Sequence, residues 1–113
     1  MTNEDFRELA LSLPEAIESS HMNHPDFRVA NKVFATLGYP DDAHAVVILP
    51  LDQQAKFVAM APKTFVAVKG FWGRRGATQI RLECATRANL RAAIATAWRR
   101  IAPKRLMKDS RAS

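Results

Sequence analysis

Histidine and carboxylate side chains cluster in one short stretch, where their types would suit metal binding or a ligand cleft. His21 and His24 are three residues apart, and Asp26 follows two residues later. Imidazole and carboxylate groups are common metal ligands, but Pro25 interrupts the helical spacing that a ligand pair at i and i+3 requires. We therefore predict no metal site here. His21, Asp26 and Arg28 are instead the candidates for a small-ligand cleft.

The other groups suited to covalent or cofactor chemistry lack partners in the sequence. Cys84 is the single cysteine and has no evident base beside it, so we expect a buried, unreactive thiol. Gly70, Gly73 and Gly76 lie between two predicted strands and lack the spacing of a dinucleotide-binding turn. No catalytic constellation is present, so the sequence favours a protein that is not an enzyme and that carries no cofactor.

A glycine-rich segment that is both aromatic and cationic is the strongest candidate for a binding site. Residues 65–68 and 78–82 favour two β-strands because they are rich in β-branched and aromatic residues. Aromatic rings beside arginines can stack on bases while the guanidinium groups bind phosphates. A projecting hairpin of this kind, a wing, predicts sequence-tolerant binding of DNA. The residues assigned to the contact are Lys69, Phe71, Trp72, Arg74, Arg75, Arg81, Arg87 and Arg91.

The two tryptophans have different expected roles. The ring of Trp72 can contact nucleic acid, or it can fold back and cover the bare backbone of the neighbouring glycines, and the sequence favours neither. Trp98 lies on the apolar stripe of a predicted helix, so we expect it in the core.

Charge is divided unevenly along the chain, whose net charge is +6. Residues 1–62 carry nine acidic and four basic side chains, whereas residues 63–113 carry thirteen basic and two acidic ones. This asymmetry favours an anionic partner such as DNA, unless the two halves interleave in space and neutralise each other. It also suits a homodimer or an acidic protein partner, so a chaperone-like protein-interaction module is the alternative function. Binding of a small ligand is the second alternative.

Length and composition predict one globular domain. The chain has 113 residues, of which 48% are hydrophobic and 25% charged, and a chain of this size can bury a sizeable core. One cysteine excludes an intrachain disulfide, and no apolar run approaches the ~18–20 residues of a membrane span. The N-terminus shows no signal region. We expect a cytoplasmic protein without a membrane partner, with its domain at residues 1–105 and a basic, frayed tail at 106–113.

The elements of the first half follow from periodicity and turn signals. A helix capped by residue 2 or 3 comes first, because its apolar residues recur at i, i+3, i+4 and i+7. Residues 17–22 alternate as an edge strand does. Ala30-Asn31 predicts a tight hairpin turn, since Asn tolerates the left-handed conformation. The apolar run at residues 45–49 is typical of a strand that is covered on both faces or at least central.

Two more helices are predicted in the second half of the chain. Asp52 is expected to cap a helix that extends to about residue 60, with its buried side formed by Leu51, Ala55, Val58 and Ala59. The longest helix covers about residues 87–102, after Thr86 as its cap. Strands joined by tight turns beside helices favour an α+β fold with an antiparallel sheet, in the order roughly α-β-β-β-α-β-β-α.

Three stretches of the sequence are specific in combination. They are H-M-N-H-P-D-F-R-V-A-N-K-V-F-A-T-L-G-Y-P at residues 21–40, G-F-W-G-R-R-G-A-T at 70–78 and A-W-R-R-I-A-P-K at 97–104. Together they resemble the MmcQ/YjbR family of small bacterial proteins, over about residues 3–105. The resemblance implies a single compact α+β domain, similar to secretion-chaperone-like folds. Family members are often described as DNA-binding through a proposed double-wing arrangement, and the resemblance supplies no established active site.

Overall fold

A computed structural model describes residues 1–107 of the chain. The helices are α1 (Asn3–Leu11), α2 (Leu51–Met60), α3 (Phe71–Arg74) and α4 (Arg87–Ile101). The strands are β1 (Ile17–His21), β2 (His24–Val29), β3 (Lys32–Leu37), β4 (His44–Ile48), β5 (Phe65–Ala67) and β6 (Ala77–Arg81). One 3₁₀ turn, Leu82–Cys84, follows β6.

The six strands form one antiparallel sheet in the order β1-β2-β3-β4-β6-β5. This confirms the predicted α+β architecture. The edge strand expected at residues 17–22 is present as β1, so four strands precede α2 instead of the three in the predicted order. The apolar run at residues 45–49 forms β4, which lies between β3 and β6 and is therefore central, as expected.

Helices cover one face of the sheet. The hydrophobic core joins Phe6 of α1, Phe57 of α2 and Trp98 of α4 to the inward-facing residues of the strands, among them Phe27 and Ile80. Trp98 is 1% exposed, which confirms its predicted place in the core. Burial of such large apolar side chains is the main source of stability in a domain of this size.

Local signals in the sequence set the ends of α1 and the first hairpin. The Thr2 side chain accepts a hydrogen bond from the Asp5 N–H, and the Asp5 carboxylate accepts one from the Thr2 N–H, which completes a capping box. Ala30 and Asn31 have φ angles of 51° and 65°, so both adopt the left-handed conformation that a two-residue hairpin turn requires. Both predictions are confirmed.

The buried side of α2 differs from the prediction. The helix begins at Leu51 with Pro50 as its N-cap, so Asp52 is not the cap, and Leu51 is 56% exposed. Gln54 and Phe57 are the buried residues. The Gln54 amide donates hydrogen bonds to the backbone oxygens of Gly73 and Ala77, at 3.0 and 3.1 Å. A polar residue therefore faces inward because these buried carbonyls require a donor.

The connection between β5 and β6 is not a projecting wing. The two strands pair as a hairpin, as predicted, but residues 71–74 between them form the short helix α3. Gly73 in this helix is buried, and a Cβ atom there would lie 1.5 Å from the backbone oxygen of Val68. The absence of a side chain at Gly73 thus lets the connection fold back onto Val68, the residue that follows β5.

The core continues beyond the boundary at residue 105 that the sequence suggested. Leu106 is buried and packs in the hydrophobic core, and Arg105 makes an ion pair with Glu15. Residues 108–113 of the predicted tail lie outside the described residues. Within residues 1–107, no helix is both long and apolar enough to cross a membrane.

Candidate functional site

A groove lies on the face of the sheet that is opposite to the core, and its volume is about 670 Å³. No element within residues 1–107 covers this open face. The groove is lined by His21, Met22, His24, Arg28, Val33, Thr36, Tyr39, Val46, Ile48, Val68, Trp72 and Ala77. A volume of this size is within the range that binds small molecules or single bases.

The floor of the groove is formed by side chains of neighbouring, paired strands. Thr36 of β3 lies opposite Val46 of β4, and Ile48 of β4 lies opposite Ala77 of β6. Alternate residues of a strand point to the same face, so these side chains form one surface that is largely apolar. The floor is rigid because it belongs to paired central strands.

An enclosed carboxylate lies at one end of the groove. Asp26 has no exposed surface, and its two oxygens accept hydrogen bonds from Arg28 Nε and Nη2 at 2.8 and 3.0 Å. His21 Nδ1 lies 2.6 Å from Asp26 Oδ2. The sequence grouped these three residues as a ligand cleft, and in the structure they are in direct contact. Asp26 fixes the positions of both His21 and Arg28.

The charge state of Asp26 follows from these contacts. The hydrogen bonds from Arg28 hold the pKa of the Asp26 carboxyl below its usual value, and the contact with His21 lowers it further, while burial acts in the opposite direction. Asp26 is therefore ionised at neutral pH. The same pairing raises the pKa of the Arg28 guanidinium above its usual value.

Exposed aromatic rings lie at the other end of the groove, on α3. Trp72 is 65% exposed and Phe71 is 53% exposed, which is unusual for large apolar side chains. The two rings meet edge to face with their centroids 5.4 Å apart. Arg75 Cζ lies 5.1 Å from the centroid of the Phe71 ring, a cation–π contact. Trp72 therefore does not cover the core, and this resolves the ambiguity that the sequence left open.

The predicted nucleic-acid contacts fall into three groups. Five of them are consecutive or nearly so in the connection before β6, and they are Lys69, Phe71, Trp72, Arg74 and Arg75. Arg81 lies at the far end of β6, away from α3. Arg87 and Arg91 are exposed residues of α4, which packs on the opposite face of the sheet. Of the first group, Trp72 lines the groove and the other four lie near it in sequence, whereas Arg87 and Arg91 lie on the other side of the sheet.

Most residues that form the floor of the groove were not among the site residues predicted from the sequence. Thr36 and Tyr39 lie in the stretch at residues 21–40 but were assigned no binding role, and Val46 and Ile48 belong to β4. The signal that could have found them is the apolar run at residues 45–49. Such a run is typical of a strand that is covered on both faces or at least central, and in the structure β4 is central while its second apolar face forms the floor of the groove.

The prediction that Cys84 is buried is wrong. Its side chain is exposed, since it lies in the 3₁₀ turn that follows β6 and not in the strand itself. Within residues 1–107, no group of three or more His, Cys, Asp or Glu side chains is arranged to hold a metal ion.

The fold and the open groove define a class of small α+β domains with one helix-covered sheet face. The YjbR family model matches residues 11–100, most of the chain, and the chain belongs to the YjbR family. The crystal structure of Deinococcus radiodurans protein DR2400, with the family-model domain DUF419, is similar, with a TM-score of 0.72 and 12% sequence identity. The match covers 86% of this chain and 75% of that one, and it concerns the fold alone. No curated protein matches the chain.

Proposed function

We propose that this protein binds nucleic acid on the open face of its sheet, with an unpaired DNA base stacked on Trp72. The observation that carries the proposal is the 65% exposure of that ring at the end of an apolar groove. Trp72 makes no contribution to the core that would explain a large apolar side chain at this position.

Cations beside the ring supply the attraction for phosphates. Lys69, Arg74 and Arg75 are exposed, and none of them makes an ion pair within residues 1–107. Arginine and lysine side chains that are not neutralised by carboxylates attract a polyanion and release its counterions on binding. The ring gives stacking without sequence preference, because every base has a π-face.

A single strand fits this surface better than a duplex. In a duplex the faces of the bases are stacked on one another, so a ring can reach them only by forcing base steps apart. A concave sheet with an exposed aromatic ring instead resembles a stacking platform for unpaired bases. The folding of residues 71–74 into a helix also removes the projecting hairpin that a duplex-binding wing would need.

Fluorescence anisotropy with a labelled oligodeoxythymidylate of about twelve nucleotides tests the proposal. We expect binding at low salt, and the Trp72→Ala variant should bind about 5- to 150-fold more weakly, the equivalent of ~1–3 kcal/mol for one stacked base. Leu51→Ala is the matched control, since Leu51 is also exposed but lies on α2 outside the groove. It should bind like the wild type, and both variants should keep the wild-type melting temperature within a few degrees.

Intrinsic fluorescence gives a second readout in the same titration. Trp72 is exposed whereas Trp98 is 1% exposed, so a ligand in the groove should quench the first tryptophan and leave the second unchanged. Absence of oligonucleotide binding by the wild type at low salt would overturn the proposal, and so would equal affinities of the wild type and Trp72→Ala.

A small molecule in the same groove is the second candidate function, because Asp26 fixes Arg28 and His21 at one end of it. Such an arrangement suits a ligand with an apolar body and a polar head. Quenching of Trp72 by an aromatic carboxylate such as naphthoate, in a protein that binds no oligonucleotide, would favour this candidate over the first.

A further inference from the structure

A second, smaller hollow lies on the open face, at the other end of β6 from α3. Its volume is about 220 Å³, and the side chains that give it its chemistry are those of His44, Lys63, Thr64, Gln79 and Arg81. The hollow adjoins the groove, since Gln79 lines the hollow while its cross-strand partner Val46 lines the groove.

Strand pairing holds the walls of the hollow in place. His44 of β4 is the direct cross-strand partner of Arg81 of β6. On the other side, the Arg81 N–H donates a 2.8 Å hydrogen bond to the backbone oxygen of Thr64, which precedes β5. Three neighbouring chain segments therefore meet here, with Lys63 in the turn that precedes β5.

The charge of the hollow is positive. Lys63 and Arg81 are exposed cations that make no ion pair within residues 1–107. One carboxylate, that of Asp41, lies beside the hollow. Its Oδ1 is 2.7 Å from His44 Nδ1. Hydrogen bonds from His44 and from the Ala43 N–H hold the pKa of the Asp41 carboxyl below its usual value. Asp41 is therefore ionised, and its charge acts on Arg81 as well as on His44, whereas Lys63 makes no ion pair within residues 1–107.

The neutral groups of the hollow are suited to the same kind of ligand. The Gln79 side chain is half-buried, and it makes no hydrogen bond within the described part of the chain. Its amide can donate to an oxygen of a bound anion. Arginine presents a planar fork of donors that matches the oxygens of a phosphate, and lysine adds a point charge. A volume of about 220 Å³ admits a phosphate group with several of its waters, since each water takes about 30 Å³ in the liquid.

We propose that this hollow is a phosphoryl-group site, which binds a phosphate of the nucleic acid strand whose base is stacked on Trp72. The choice of nucleic acid as the source of the phosphate rests on the function proposed above, whereas the phosphoryl chemistry does not. β6 runs from Ala77 in the groove to Arg81 in the hollow, a distance of about 13 Å at ~3.3 Å per residue. A strand that follows β6 therefore connects the two sites along the open face.

The first test uses inorganic phosphate alone and is independent of nucleic acid. We expect phosphate, added against chloride at constant ionic strength, to shift the NMR signals of the Gln79 amide and the Arg81 Nε–H in a saturable way. In the double variant Lys63→Gln/Arg81→Gln, which has no Arg81 signal, the shifts of the Gln79 amide should disappear. They should persist in Arg91→Gln/Arg99→Gln, which removes the same charge from exposed positions of α4.

The second test measures oligonucleotide affinity in the same variants. Lys63→Gln/Arg81→Gln should bind the oligodeoxythymidylate about 10-fold more weakly, and its log K should depend on log salt less steeply by ~0.7 for each phosphate that the variant no longer neutralises. The α4 double variant should keep the wild-type slope. Retained NMR spectra outside the hollow show that the variants fold.

The outcomes separate this inference from the proposed function. Phosphate shifts with an unchanged oligonucleotide slope would overturn nucleic acid as the source and assign the site to free phosphate. No saturable shift in the wild type, with unchanged oligonucleotide affinity in the double variant, would overturn the site, while loss of binding in Trp72→Ala would still support the proposed function. Saturable phosphate shifts in a protein that binds no oligonucleotide would keep the phosphoryl site and remove the proposed function.

Discussion

Asp26 is a charged residue without exposed surface on the open face of a sheet. Enclosing a carboxylate costs free energy unless charged partners and hydrogen bonds offset the loss of water. Arg28 supplies both, His21 contributes a hydrogen bond, and each of them also reaches the groove. Asp26 thus holds two polar side chains in place on a surface that is otherwise apolar.

Asp26→Asn should destabilise the protein by about 1–2 kcal/mol, because it removes the charged partner of Arg28 from an enclosed position. The expected change is moderate because both partners of Asp26 are partly exposed and solvent screens the interaction. Urea denaturation measures the change. Asp42→Asn is the control, since Asp42 is exposed and makes no ion pair within residues 1–107, and its stability should match that of the wild type.

The stability of Asp26→Asn should decrease less at acid pH than the stability of the wild type. Because the pKa of Asp26 is lower in the folded than in the unfolded chain, its contribution is fully present above the unfolded pKa of ~3.9 and is lost as the pH falls below it. The difference in unfolding free energy between wild type and Asp26→Asn should therefore shrink from neutral pH to about pH 3. A difference that stays constant over this range would contradict the assigned charge pair.

Sequence context predicts whether a side chain is buried or exposed for some residues and not for others. Trp98 could be placed in the core because its helix has a regular apolar stripe. Trp72 could not be placed, because a ring between glycines is compatible with both exposure and burial. The burial expected for Cys84 was wrong, because β6 ends at Arg81 and Cys84 lies in the 3₁₀ turn that begins at Leu82.

At the scale of elements, the connection between β5 and β6 depends on a residue without a side chain. Gly73 is close to the backbone of Val68, and its own oxygen accepts a hydrogen bond from Gln54 of α2. These contacts hold α3 against the sheet, and they thereby present Trp72 to the groove.

Gly73→Ala should destabilise the fold by about 1–3 kcal/mol, because the added Cβ would lie 1.5 Å from the Val68 oxygen and the backbone must move. Thermal or urea denaturation measures this change. Arg74→Ala, at the next and exposed position, is the control and should stay within about 0.5 kcal/mol of the wild type. Wild-type stability of Gly73→Ala would mean that α3 does not pack against Val68, the residue that follows β5.

Elements with strong local signals could be predicted, and those set by contacts distant in sequence could not. The capping box at Thr2 and the turn at Ala30-Asn31 depend on residues within a few positions, so they are readable in sequence. The buried side of α2 depends on carbonyls of Gly73 and Ala77, about twenty residues away, and no periodicity reports them. The groove likewise follows from strand order.

At the scale of the whole molecule, the acidic and basic halves interleave. Strand β4 of the first half pairs with β6 of the second, and α4 packs on strands of the first half. Glu15 pairs with Arg105 across the two halves. Part of the charge division is thus neutralised within the molecule, which weakens the case for a homodimer of opposite faces. Unpaired cations persist around α3 and at the end of β6.

We propose that nucleic acid binds to the open face of the sheet and not to the helix layer. Arg74 and Arg75 lie at the C-terminal end of α3, whose Trp72 lines the groove, whereas Arg87 and Arg91 lie on α4. All four arginines are exposed, and removal of either pair changes the net charge equally. Removal of either pair therefore weakens the long-range attraction for nucleic acid equally. Direct phosphate contacts should be lost only when Arg74 and Arg75 are removed.

The most direct measurement is the salt dependence of single-strand affinity in Arg74→Ala/Arg75→Ala and in Arg87→Ala/Arg91→Ala. If both loop arginines contact phosphates, the slope of log K against log salt should fall by about 1.4 in the first variant, at ~0.7 per phosphate for single strands. It should stay at the wild-type value in the second. A reduced slope in the α4 variant, with an unchanged slope in the loop variant, would contradict binding on the open face.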